Sequence, residues 1–172
     1  GLSGTKTAII LSITPVMMFL VQPFYGMLAD RLGYKKTLLI SSFLASVCYS
    51  LYLVEGNFAY LLMITVFMAV FYNTLQPVLD SLSLKLVQKN PAFSYGTLRI
   101  AGAAGWAFTG IINGQLIDAL DTTVIFAVSA ISMLLTFFFA FSLGADTEKT
   151  TIKPDQSFKN VKEVFGNKVL LF

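Results

Sequence analysis

The 172-residue chain has no histidine, one cysteine and one tryptophan, and only 12% of its residues are charged. Each shortage closes a class of function. Without histidine, and with Cys48 alone in an apolar stretch, there is no metal cluster, disulfide framework or thiol–imidazole nucleophile. No two carboxylates share a helix face, so no acid–base pair forms in that way. The glycines do not follow a predicted strand, which excludes a phosphate-cradling loop. Nothing in this pattern is an enzyme's. A soluble domain carries about 25% charge; here charge is scarce and 56% of residues are hydrophobic.

The apolar residues fall in blocks of about twenty, the length that crosses a ~30 Å hydrocarbon core. The expected fold class is therefore all-α, a polytopic transmembrane helical bundle. Spans are predicted at 7–28, 37–54, 59–86, 95–114 and 122–143, with Pro15 and Pro23 as kinks in the first. Residues 29–36 read as a short charged hairpin, and 55–58 and 118–121 as turns. Residues 144–166 read as a polar linker ending in a short amphipathic helix with Phe158, Val161 and Phe165 at helical spacing among lysines. Residues 167–172 read as the start of another span. Opening on Gly1 and stopping inside an apolar run, the chain is expected to be a piece of a longer protein, with 1–143 as its transmembrane unit.

Basic residues favour alternate connections. Arg31, Lys35, Lys36, Lys85, Lys89, Lys149, Lys153, Lys159, Lys162 and Lys168 lie on one side, and only Lys6 on the other. The positive-inside rule makes the first side cytoplasmic, so hairpin 29–36 and linker 144–166 are expected there, in a multi-pass protein of the plasma (inner) membrane. Because the basic residues sit between apolar blocks, a pI near 9.0 points to topology and not to nucleic acid.

The segment 95–114 stands out. Stepping 100° per residue, Arg99, Gly102, Trp106, Thr109 and Asn113 fall within about an 80° arc. One face thus offers a cation, a stacking ring, a hydroxyl and an amide, with glycine where bulk would block approach. That suits a small polar, ring-shaped solute. The competing reading has Arg99 snorkelling to the surface and Trp106 in an interfacial belt; against it, Trp106 lies roughly 10 Å deeper than Arg99. In the preceding span, Asn73, Gln76 and Asp80 are predicted to share a face. Asp80 and Arg99 are then at similar depth, and opposite charges there pair or share a hydrated cavity, since each alone costs about 2.5–3.5 kcal/mol to bury. Gly110 and Gly114 have helix-packing spacing, and Ser129, Ser132 and Thr136 are expected to hydrogen-bond between helices.

The string Gly26-Met-Leu-Ala-Asp30-Arg31-Leu-Gly33-Tyr-Lys35-Lys36 resembles the signature between helices two and three of the major facilitator superfamily. Gly26 would allow close helix contact, Asp30 would cap or bond a neighbouring helix terminus, and Gly33 would permit the tight turn. The resemblance implies that this motif controls conformational switching. Asn73-x-x-x-Pro77-x-x-Asp80 and Tyr95-Gly-x-x-Arg99-x-x-Gly102-x-x-Gly105-Trp106 resemble the fourth and fifth helices of that superfamily's lactose permease group. By that resemblance the chain covers helices two to six and the central linker of a twelve-helix transporter, without helix one and the C-terminal half. It also implies that Arg99, Asp80, Trp106 and Asn73 contact a sugar, with Gln76 reshaping the pocket and Asn113 on the same polar face. Asp80 stands for the group's glutamate, and Thr97 replaces a second arginine of the lactose permease. The implied activity is sugar or oligosaccharide symport with a proton as coupling ion and no cofactor; the proton-carrying groups of the resembled transporters lie in the C-terminal half. Nucleosides or another polar solute, drug export, and a non-transporting membrane sensor remain as alternatives.

Overall fold

A computed structural model describes residues 3–89 and 94–142, apart from the side chain of Asp30. The linker and seventh-helix expectations at 144–172 lie outside the described residues. Six helices follow one another: α1 (Gly4–Leu32), α2 (Tyr34–Leu51), α3 (Phe58–Tyr72), α4 (Leu75–Lys89), α5 (Tyr95–Ala119) and α6 (Val124–Ser142). The described residues contain no strand. The all-helical expectation holds.

Three boundaries differ from the sequence reading, each for a local reason. The connector at 29–36 is a single residue. Residues 29–32 belong to α1, 34–36 belong to α2, and Gly33 alone turns the chain at φ 88°. Its N–H donates to the Ala29 carbonyl at 2.9 Å, and its own carbonyl accepts from the Thr37 N–H and hydroxyl, each at 3.1 Å. Pro15 and Pro23 sit inside α1 without interrupting it. The interruption comes instead at Asn73–Thr74, dividing the predicted span 59–86 into α3 and α4. Pro77 explains the place. It has no N–H for the carbonyl four residues back, but in the first turn of a new helix that N–H would have no intrahelical partner anyway. The Thr74 hydroxyl donates to the Phe71 carbonyl at 2.8 Å and helps close the end of α3.

Side-chain caps start two of the helices. The Asn57 carboxamide accepts from the Tyr60 N–H at 2.9 Å to open α3, and the Ser94 hydroxyl accepts from the Thr97 N–H at 3.1 Å to open α5. Thr97 also shares a hydroxyl–hydroxyl bond of 2.8 Å with Ser94, so it belongs to the cap.

The core is built around α2. Thr37, Leu38, Ser41, Ser42, Ala45, Ser46 and Cys48 are all buried. These are mostly small side chains, and they let α6, its most extensive partner, come close. The hydroxyls of Thr37, Ser42 and Ser46 cost little here because they find carbonyls, whereas Ser41 Oγ is buried without a hydrogen-bond partner. Ser42 donates to Leu38 at 2.7 Å, and Ser46 crosses to the Ala130 carbonyl of α6 at 2.7 Å. Tyr52 stacks on Phe126 with centroids 4.9 Å apart, and its hydroxyl meets that of Thr65 at 2.7 Å. Among the described residues, four segments are long and apolar enough to cross a membrane by length and composition: Gly4–Ala29, Phe58–Lys89 (α3 and α4 together), Tyr95–Ala119 and Val124–Ser142. α2 is not among them. It carries Lys35, Lys36 and four serines, of which Ser41, Ser42 and Ser46 are buried against neighbouring helices.

At one end of the bundle, the Lys35 ammonium donates to the Phe141 carbonyl in the last turn of α6 at 2.9 Å. Lys85 of α4 lies 4.3 Å above the Tyr34 ring. At the other end Lys6 lies 5.4 Å from the Phe58 ring. Lys35, near the start of α2, is therefore a structural group.

Candidate functional site

α4 and α5 carry the polar residues that the sequence singled out. Gln76 and Asp80, four apart on α4, are one turn from each other, and the Gln76 amide donates to Asp80 Oδ1 at 3.2 Å. The third member of the predicted face does not join them. Asn73 lies on the far side of the α3–α4 break, so helical stepping cannot carry it onto the same stripe. Its Nδ2 is buried without a hydrogen-bond partner.

Asp80 and Arg99 do come together, but not as a direct pair. The Tyr95 hydroxyl donates to Asp80 Oδ1 at 3.1 Å and accepts from Arg99 Nη1 at 2.9 Å. The Arg99 guanidinium also lies 5.9 Å from the Tyr95 ring centroid. The result is a relay of amide, carboxylate, phenol and guanidinium that joins α4 to the first turns of α5. Tyr95 had no separate role in the sequence reading. Its signal was present: it precedes Arg99 by four residues, which puts the two side chains one above the other on a helix.

Beyond Arg99, the α5 face is open. Trp106 is 82% exposed, and no residue of α5 is buried. Gly102, Gly105, Gly110 and Gly114 could each take a Cβ without meeting another atom within 4 Å. Helix approach, the expected reason for the glycines, is therefore not their use among the described residues. The Thr109 hydroxyl bonds back to the Gly105 carbonyl at 2.8 Å, and Asn113 Oδ1 is buried without a partner. Asn73 and Asn113 are thus two carboxamides with unspent hydrogen-bonding capacity, which in a low-dielectric setting favours a polar guest.

Two further expectations are corrected. Gly26 is not at a close helix contact, since a Cβ there would also meet nothing within 4 Å; it lines a pocket of about 280 Å³ with Gln22, Tyr25, Tyr34, Thr74 and Pro77. The hydroxyls of Ser132 and Thr136 bond to carbonyls one turn back in α6, at 2.8 and 2.9 Å, in place of bridging helices. The hydroxyl of Ser46 reaches α6 from α2. Of the motif residues, Arg31 and Lys36 are exposed, Gly33 makes the turn, and Lys35 holds the end of α6. The helix-terminus role expected of Asp30 falls on a side chain outside the described residues; at the end of α6 the Phe141 carbonyl accepts from Lys35. Among the described residues no cluster of metal-ligating side chains occurs.

Comparison with known proteins gives these features a family context. The model of the MFS_1 like family matches residues 1–171. A protein named Maltose permease, from Geobacillus stearothermophilus, is 27% identical over 134 residues, 77% of this chain and 34% of its own. Raffinose permease of Escherichia coli is 27% identical over 161 residues, 88% of this chain and 37% of its own. Multidrug resistance protein MdtG of Dickeya zeae (strain Ech586) is 27% identical over 138 residues, 77% of this chain and 34% of its own. The chain spans little more than a third of the length of these relatives.

Proposed function

The chain belongs to the MFS_1-like family, a family of transporters and not of enzymes, and on that footing we propose that it forms part of a proton-coupled symporter for a sugar or oligosaccharide. It contributes helices two to six of the N-terminal half, within the lactose permease-like group, and works by alternating access with helix one and a C-terminal half. The carrying observation is the relay from Asp80 through Tyr95 to Arg99 at the foot of an uncovered face bearing Trp106. A guanidinium and a carboxylate within reach of one hydroxyl suit a polyol, because one donates and the other accepts. Trp106 offers a flat apolar surface for a pyranose ring, and Gln76, Asn73 and Asn113 supply amides around it. Relatives named for maltose and raffinose support this cargo. Arg31, Lys35, Lys36 and the Gly26–Gly33 segment face the cytoplasm and take part in switching between states.

Uptake by the full-length protein in proteoliposomes tests the reading. With an imposed pH gradient, Arg99→Lys should lower sugar affinity at least tenfold, since it removes a charge-assisted hydrogen bond of fixed geometry. Trp106→Phe should lower it several-fold. Unchanged affinity in both variants would refute the assignment. A second reading, drug export, has the relative named Multidrug resistance protein in its favour. Counterflow of a lipophilic cation, with no sugar accumulation, would select it.

A further inference from the structure

A guanidinium and a carboxylate left to themselves in a sparsely hydrated place close on each other, and a bidentate pair of that kind leaves little room for a neutral guest. Here they do not close. The Tyr95 hydroxyl stands between them, accepting from Arg99 Nη1 at 2.9 Å and donating to Asp80 Oδ1 at 3.1 Å. Its two bonds are those that an alcohol group of a solute would make in the same place. Gln76 also holds the carboxylate, with a 3.2 Å bond to the same oxygen. The Tyr95 ring, in its turn, lies under the guanidinium. Two side chains, Tyr95 and Gln76, thus hold the two charges at the separation of one bridging oxygen.

We propose that Tyr95 is a positioning residue, a hydroxyl spacer that keeps Arg99 and Asp80 from pairing and so maintains a gap sized for the hydroxyl of a solute. The inference rests on the sugar-transport reading and narrows it. Admission of a solute exchanges one neutral O–H between the charges for another, a near-balanced step, where parting a direct ion pair would strand both ions. The ligand class that can make this exchange is hydroxylated; a purely apolar molecule offers no O–H to replace the phenol. Selection against apolar compounds thus arises at Tyr95, which stands in the first turn of α5 on the same stripe as Arg99 and Asn113.

The test uses the full-length transporter purified in detergent, with maltose and raffinose as probes. Tyr95→Phe retains the ring and removes the spacer oxygen. It should weaken sugar binding in calorimetric titration by about tenfold. Replacing Tyr95 by 3,5-difluorotyrosine, whose phenol is more acidic, should add a step near neutral pH to the sugar-affinity profile, which a ring with only a packing role would not produce. Without sugar, a double-mutant cycle of Tyr95→Phe and Asp80→Asn on thermal unfolding should be non-additive. Tighter binding by Tyr95→Phe would overturn the proposal by making the hydroxyl a mere competitor, and an additive cycle with sugar binding intact would overturn it by removing the bridge. Wild-type protein that binds neither sugar, with a non-additive cycle, would overturn the sugar reading and the exchange together while leaving the bridge in place.

Discussion

α2 and α5 are both helices with many small residues, yet the structure uses them in opposite ways. In α2 the small side chains are spent on neighbours: Ala45 is 0% exposed, and Ser42 and Ser46 are buried with their hydroxyls on carbonyls. In α5, Gly102, Gly105, Gly110 and Gly114 face open space, and Trp106 stands out among them. The difference teaches that a run of small residues in a membrane helix has two distinct meanings. It is either a contact already made or a surface left for something else, and composition alone does not separate them. What separates them here is the polar company. A hydroxyl that reaches across to another helix, as Ser46 does, goes with packing, whereas a guanidinium, an exposed tryptophan and the unpartnered Asn113 Oδ1 go with the open face.

Three substitutions probe this contrast, from the largest effect to the smallest. Ala45→Leu overfills the contact face of α2 and should cost about 3 kcal/mol, read as a lowered midpoint of thermal unfolding in detergent. A neutral result would mean that the α2 core is looser than it is drawn. Gly33→Ala should cost about 2 kcal/mol in the same assay, because φ 88° with ψ 147° is a backbone region that side chains resist, although there is room for the added carbon. That change attacks the turn that feeds α2 into the core without touching the packing itself. Gly102→Ala, on the open face, should raise stability by about 0.5 kcal/mol through helix propensity, while reducing sugar binding in the full-length protein. A loss of stability instead would reveal a neighbour against that face and erase the distinction between the two helices.

Much of the fold could be read from the chain. The apolar blocks gave the helices to within a few residues at most ends, and Gly33 was identified as a turn because the motif around it leaves only a short connection. The central position of α2 could not be read in this way, since its serines acquire meaning only when α6 supplies the Ala130 carbonyl. The α3–α4 break was signalled by Pro77 but hidden by the apolar run around it, and with it went the placement of Asn73. The site was half legible. Equal depth brought Asp80 and Arg99 together correctly, but depth has no angular content and could not reveal that a tyrosine would reach the gap first.

The bond from Lys35 to the Phe141 carbonyl joins residues 106 apart in sequence. It works as a clasp. It ties the start of the second helix to the finish of the sixth, so the described chain is closed into a hoop at that end. A swing of α6 must either open the clasp or drag the head of α2 with it, and Gly33 then passes the pull directly into α1. Among the described residues, no comparable side-chain bond reaches the body of α5 from another helix; its tie to the hoop is at its first turn, through Tyr95.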